Sequence, residues 1–312
     1  MNSQKIVLPG GAGLVGQNLI PRLKARGYTD LVVVDKHQHN LEVLAKLHPD
    51  VTCELADLAR TGDWVRHFEG AHAVVILQAQ IGGLKADEFA LNNETATENI
   101  LQAIRRYGVP RTVHISSSVV ESVADDMYTK SKKRQEKMVL DSGIPCPILR
   151  PTLMFGWFDR KHIGWLSRFM KKVPVFPIPG HGRYMRQPLY AGDFSNIIIS
   201  CVENHSLNGT YNISGQERID YIDLIQAVKR ATSASAIILK IPYSLFYSLL
   251  SIWAIFDSDP PFTTEQLAAL TAKDDFEVID WPDIFGVPST PLQDALDETF
   301  AHPEYSKVVL EF

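Results

Sequence analysis

Little in this chain invites covalent or metal cross-linking. Cys53, Cys146 and Cys201 are the only cysteines in 312 residues, widely spaced and odd in number. That excludes a disulfide framework or a cysteine-rich zinc site, and it points to a reducing cytoplasm. His37 and His39 straddle Gln38 and read as part of a solvated loop, so no metal is expected. Positive charge is not in surplus: 31 Lys and Arg stand against 36 Asp and Glu. The net charge of −5 argues against a general nucleic-acid binder. No basic segment with an apolar signal core opens the chain, so no cleaved leader is expected. Repeats and low-complexity tracts are missing. The run Ile241 to Phe256 lacks charge over 16 residues, short of the roughly 20 that span a bilayer. Its aromatics suit a buried helix, a lid over a ligand or a subunit contact, in preference to a membrane contact.

What is present begins at the N-terminus. Lys5 to Leu8 is a short apolar run, and Pro9-Gly10-Gly11-Ala12-Gly13-Leu14-Val15-Gly16 follows it directly. Gln17 to Arg26 reads as a helix, and Leu31 to Val34 as a second strand ending on Asp35. Strand, glycine turn, helix, strand and acid is the order that cradles a dinucleotide. Gly10, Gly13 and Gly16 let the backbone turn and approach a pyrophosphate, while the first helical turn, with Leu14 and Val15, offers free N–H groups. Asp35 lies 19 residues after Gly16, where its carboxylate can accept ribose hydroxyls. It would repel a 2′-phosphate, so NAD is expected over NADP.

The pattern continues as α/β alternation. Strands are expected near Val51 to Leu55, Ala73 to Leu77, Thr112 to Ile115 and Cys146 to Leu149, with a long helix over about Ala90 to Tyr107 stopped by Gly108 and Pro110. Residues 151–190 are rich in proline, glycine and aromatics, and read as pocket-forming loops. A further helix near Phe194 to Glu203 and a strand near Gly209 to Ile213 precede a small, mainly helical remainder. Tyr128 and Lys132 stand four apart at the start of a helix, ten residues after Ser116 to Ser118 at a strand end. On one helical face a lysine beside a tyrosine favours the phenolate, which lowers the phenol's pKa toward usefulness in proton transfer. The spacing is weak by itself; its place downstream of a nucleotide turn gives it meaning.

With these motifs the chain resembles an extended short-chain dehydrogenase/reductase of the NAD-dependent epimerase/dehydratase family, over about residues 4–215. Gly10 to Gly16 resembles its GxxGxxG, Tyr128 and Lys132 its YxxxK, and Ser116 to Ser118 its serine strand. The resemblance implies that Asp57 and Leu58 contact adenine, and that Leu77, Gln78 and Ala79 lie beside the cofactor. Asn93, Thr97 and Asn99 match the family's Asn-x-x-x-Thr-x-Asn helix, and Asn99 and Ser116 are carried over as cofactor contacts. Ser118 is implied as the catalytic hydroxyl, Arg150 and Pro151 as the segment passing the nicotinamide, and Arg186 as a ligand of a nucleotide-sugar phosphate. Pro9 replaces the usual threonine, the serine-to-tyrosine loop is short, and Leu153 stands where nucleotide-sugar members often carry asparagine. The Arg150 to Gly156 form is also similar to the 3β-hydroxysteroid-dehydrogenase-like group and to an accessory subunit of respiratory complex I.

The expected fold is a Rossmann-type doubly wound parallel sheet over residues 1–152, rejoined by about 187–215, with a smaller substrate-binding lobe over 153–312. The implied activity is NAD-dependent epimerisation or dehydrogenation of a nucleotide-linked sugar, with Ser118, Tyr128 and Lys132 catalytic and a homodimer as a possible assembly. Two alternatives stand beside it: a dehydrogenase/reductase of a bulky apolar alcohol, and a non-catalytic dinucleotide-binding assembly protein.

Overall fold

The computed structural model describes residues 4–83, 85–256, 262–271 and 277–311. Seven strands form the central sheet: Lys5–Pro9 (β1), Leu31–Asp35 (β2), Thr52–Leu55 (β3), Ala71–Ile76 (β4), Arg111–Ile115 (β5), Ile148–Pro151 (β6) and Thr210–Ile213 (β7). Their spatial order is β7-β6-β5-β4-β1-β2-β3, and every pairing is parallel. This is a Rossmann-type doubly wound sheet. The order reverses between β1 and β4, and a crevice at the carboxyl ends of strands flanking such a switch point is where ligands bind. The glycine turn leaves β1 there.

Alternation along the strands explains their unbroken apolar runs. Ile6 and Leu8 of β1, Val33 of β2 and Val75 of β4 join one core with the Leu14–Ala25 and Ala191–Glu203 helices. Val7, Val34, Val74 and Ile76 face the opposite core, with Trp64, Phe68 and the Ala96–Tyr107 helix. Successive side chains of a strand point to opposite faces, so a sheet covered on both sides needs apolar residues at each position.

Chain from beyond residue 187 completes this half. The Ala191–Glu203 helix is buried along Phe194, Ile197, Ile198 and Val202, β7 closes the sheet edge beside β6, and Trp281 and Phe285 enter the same core. Arg111, buried at the start of β5, fastens the connection. Its guanidinium donates to the carbonyls of Cys201 (2.7 Å), Asn204 (3.0 Å) and Leu207 (2.8 Å) and to Asn208 Oδ1 (2.8 Å).

A second core holds Phe155, Met170, Phe176, Ile178, Ile225 and Leu296. Its helices are His162–Lys172, Tyr221–Thr232 and Leu292–Ala301, packed with a parallel ribbon of Val175–Pro179 and Ile237–Ile241. The 151–190 stretch, expected as loops, is therefore partly regular. Its aromatics and aliphatics bury inward around the His162–Lys172 helix, which a proline- and glycine-rich composition hides.

Two other expectations change. The long helix near Ala90 begins earlier, at Ala86, and passes through a π-turn over Ala90–Thr95 before Ala96–Tyr107. The turn carries the buried Asn93, whose side chain bonds the backbone of Gln80. The apolar run forms a helix, Tyr243–Phe256, yet it is not buried: Leu250 alone is, while Ile255 is 76% and Phe256 85% exposed. Among the described residues no helix is long and apolar enough to cross a membrane.

Candidate active site

The glycine turn is built by backbone geometry. Gly10 takes a φ of +78°, a left-handed conformation that side chains disfavour, and its N–H donates to the Val34 carbonyl at 2.8 Å. A Cβ on Gly10 would lie 2.4 Å from the Gln78 backbone, and one on Gly16 would lie 2.1 Å from the Gly11 carbonyl oxygen. Both glycines are demanded by the protein's own packing. A Cβ on Gly13 would meet only the Gly10 oxygen at 3.7 Å, so the space before it is open, as a backbone cradle for a ligand requires. Asp35 ends β2 almost fully buried. Its carboxylate accepts from the Ala12 N–H (3.1 Å), the His37 N–H (3.1 Å) and His37 Nδ1 (3.0 Å). His37, expected only as part of a solvated loop, thus helps to hold the acid in place.

A cavity of about 580 Å³ runs from this turn to the serine strand end. Gly10, Gly13, Leu14, Val15, Gly16 and Asp35 line one end. Leu58, Leu77, Gln78 and Ala79 line it further along, and Ser116, Ser118, Tyr128 and Pro151 line the other end. The remaining expected residues are not in its lining. Asp57 accepts from the Ala59 N–H (3.0 Å) and pairs with Arg60, so it holds a turn. Asn99 donates to the Leu58 carbonyl (2.9 Å) and props that turn. Arg150 binds Glu136 at 3.0 Å and Glu121 at 2.7 Å. Arg186 donates to the carbonyls of Met185 and Leu270.

Tyr128 opens the Met127–Asp141 helix, whose N-cap is Asp126. That carboxylate accepts from the Thr129 N–H (2.9 Å) and hydroxyl (2.7 Å). Burial raises the pKa of the Tyr128 phenol, a side-chain hydrogen bond with Ser117 opposes the rise, and the Asp126 charge adds to it. Ser117 and Ser118 both line the cavity with Tyr128, and of the two it is Ser117 that bears on the phenol's pKa. Ser117 caps the 3₁₀ turn over Ser118–Glu121, its hydroxyl accepting from the Val119 N–H at 3.4 Å.

Lys132 is 1% exposed. Its ammonium donates to the Ile115 carbonyl (3.2 Å) and to Gln135 Oε1 (2.5 Å). Burial lowers its pKa to about 7, against the pull of Glu136. The expected effect, a lysine lowering the tyrosine's pKa, is not what this arrangement gives: burial dominates both groups. Around Lys132 lies a buried polar network. Gln135 and Gln78 both donate to the Thr97 hydroxyl at 2.9 and 2.8 Å, and Thr97 donates to the Asn93 carbonyl. Ser116 donates to Glu136, the carboxylate that also holds Arg150.

A model of the NAD dependent epimerase/dehydratase family matches residues 6–214, from β1 through β7. The chain belongs to that family. It is 30% identical over 189 residues to the decarboxylating sterol-4-alpha-carboxylate 3-dehydrogenase of Schizosaccharomyces pombe, covering 54% of each chain. It is 22% identical over 275 residues to the UDP-glucose 4-epimerase of Vibrio cholerae, covering 79% of this chain and 82% of that protein. The chain spans about half the length of that yeast protein and of a 3 beta-hydroxysteroid dehydrogenase/Delta 5-->4-isomerase of Mycobacterium tuberculosis that it also matches. The solved structure of UDP-glucuronic acid 4-epimerase from Bacillus cereus in complex with NAD superposes with a TM-score of 0.69 at 20% identity, over 96% of this chain and 98% of that one. That likeness establishes the fold.

Within this family member several cavity residues escaped the sequence reading. Asp159, Arg160, Lys161 and His162 line the cavity beside Leu153 and Met154. The Asp159 carboxylate accepts from the N–H groups of Lys161 (3.0 Å) and Gly164 (2.8 Å), while burial raises its pKa and lowers that of His162. Their only signal was a charged run, Asp159 to His162, just after the Arg150-Pro151 strand. Gln135 and Glu136 gave none, since nothing distinguishes them from other polar helix residues.

Proposed function

We propose that this epimerase/dehydratase-family chain is an NAD-dependent epimerase or dehydrogenase of a nucleotide-linked sugar, working by hydride transfer. The observation that carries the reading is one cavity joining the glycine turn and Asp35 to Tyr128 and Ser117. The residues present suit NAD: open space before Gly13, a buried carboxylate at Asp35, and the buried Gln78 Oε1 and Thr152 Oγ1, which have no hydrogen-bond partner among the described residues and belong to cavity-lining residues. Asp35 favours NAD over NADP, because a 2′-phosphate would meet its charge. When bound, NAD accepts a hydride at its nicotinamide and returns it.

As the phenolate, its own proton given up to solvent, Tyr128 takes the proton of the substrate hydroxyl as the carbon bearing that hydroxyl loses hydride, and the alcohol becomes a carbonyl; the positive charge of the oxidised cofactor would oppose the rise in pKa that burial causes. Ser117 holds the same oxygen and steadies the phenolate, with Ser118 beside it. In the reverse direction the raised pKa keeps the phenol protonated and ready to donate. Return of hydride to the opposite face of the carbonyl yields the epimer with no net redox. Lys132, held by the Ile115 carbonyl and Gln135 Oε1 and with its pKa lowered to about 7, is charged only in part near neutrality and can exchange a proton there. Arg160 and Lys161 in the cavity wall suit a diphosphate, a role that Arg186 could take only by leaving the Leu270 carbonyl.

A thermal-shift screen of NAD and NADP, crossed with UDP-, GDP- and dTDP-sugars, tests the reading. NAD and one sugar nucleotide should each raise the melting temperature. A shift with NAD and none with any sugar nucleotide would move the substrate to the second reading, a bulky apolar alcohol. The exposed Tyr243–Phe256 helix and the likeness to the sterol dehydrogenase favour that second reading. Net NADH formation separates the two, since an epimerase produces none.

A further inference from the structure

The Tyr243–Phe256 helix exposes apolar side chains around most of its circumference. Tyr243, Leu245, Tyr247, Leu249, Ile252 and Ile255 are all exposed, and Leu250 alone is buried. At about 100° per residue these positions cover roughly two-thirds of a turn. A second protein surface covers a stripe of roughly 100°. Pairing with another copy would leave much of this helix in water, whereas a lipid phase wraps a protruding helix on every side. The helix has 14 residues, about 21 Å at 1.5 Å each, too short to span a core of about 30 Å.

Its polar atoms fit the same setting. Ser248 donates its hydroxyl to the Ser244 carbonyl and Ser251 to the Tyr247 carbonyl, both at 2.9 Å. A hydroxyl entering an apolar medium needs such an internal acceptor. From Ile237 to Phe256 the only charged residue is Lys240, and it is exposed. The Ile241 carbonyl accepts from the Gly180 N–H at 2.7 Å, which places the turn bearing the exposed Arg183 beside that base. Exposed Ile237 and Leu239 extend the apolar surface onto the ribbon. We propose that this helix anchors the protein to an anionic membrane surface, its side chains seated at the headgroup–acyl boundary with Arg183 and Lys240 on the phosphates.

The test is co-sedimentation of the full chain with vesicles of phosphatidylcholine alone or mixed with phosphatidylglycerol. The wild type should pellet with the mixed vesicles, less so at high salt. An Ile252→Glu/Ile255→Glu variant should partition at least roughly tenfold less. Both sites are exposed, so its circular-dichroism melt should match the wild type; a variant that unfolds is replaced by Lys240→Glu/Arg183→Glu, which should weaken binding to the mixed vesicles only. Wild-type protein left in the supernatant with both vesicle types overturns the proposal. So does equal pelleting of the wild type and the apolar variant. A wild-type dimer that the apolar variant dissolves, without vesicle binding, assigns the helix to a second copy instead.

Discussion

The two ends of the cavity are made in different ways. At the glycine end the contacts come from backbone: Gly10, Gly13 and Gly16 leave room, and Asp35 is held by the N–H groups of Ala12 and His37. At the tyrosine end they come from side chains that β5, the Met127–Asp141 helix and the Asn93–Thr97 segment bring together. At Gly10 and Gly16 the first end tolerates no added atom. The second depends on which of several similar groups points inward. The lesson is that a backbone site is defined by where atoms are missing, and a side-chain site by how buried polar groups are shared.

Substitutions can break that contrast. Tyr128→Phe removes the proposed proton carrier and should lower kcat by roughly 10²–10⁴-fold, while the NAD-induced rise in melting temperature persists. Wild-type turnover in that variant would end the assignment. Gly16→Ala sets a Cβ 2.1 Å from the Gly11 oxygen; overpacking against backbone should cost about 1–3 kcal/mol or more, read as a lower melting temperature. Gly13→Ala has room in the protein, so it should keep its stability and lose NAD affinity. If the two alanine variants behave alike, Gly13 does not face the dinucleotide.

Lys132 sharpens the other side. Burial lowers its pKa from 10.5 to about 7. Above 10.5 neither folded nor unfolded chain carries this charge, and the fold has its full stability. As pH falls from 10.5 to about 7 the unfolded chain takes a proton that the buried amine refuses, so stability is lost, and below about 7 the loss levels off. Lys132→Met should remove that slope, so its gain over the wild type in urea unfolding shrinks as pH rises. An unchanged slope would mean that the amine is solvated. The smallest effect is expected from the serines: Ser117→Ala should slow turnover roughly tenfold, about one charged hydrogen bond, and Ser118→Ala less. The reverse order would return the catalytic hydroxyl to Ser118.

The glycine end was legible because its determinants are local. Gly10 to Gly16 fixes a turn, Asp35 follows at a set distance, and the apolar runs of β1, β2 and β4 require a sheet covered on both faces. The choice between Ser117 and Ser118 was not, since it depends on a 3₁₀ turn that four ordinary residues form. The burial of Lys132 was hidden as well, because its partners Ile115 and Gln135 are unremarkable in sequence. Asp159 to His162 reached the cavity wall only through packing of the His162–Lys172 helix. The exposure of Tyr243–Phe256 ran against composition, which registers apolarity and not what surrounds it.

Arg111 carries a practical consequence. Its guanidinium is satisfied entirely by groups between Cys201 and Asn208, far along the chain from the strand that bears it. A gene fragment ending near residue 152 would strand this cation in an unfinished sheet edge, with no β7 to close it. Protein engineers who wish to exchange substrate lobes between relatives should therefore graft around the 191–213 return, and a split-enzyme reporter cut before it should light up only when both pieces are supplied.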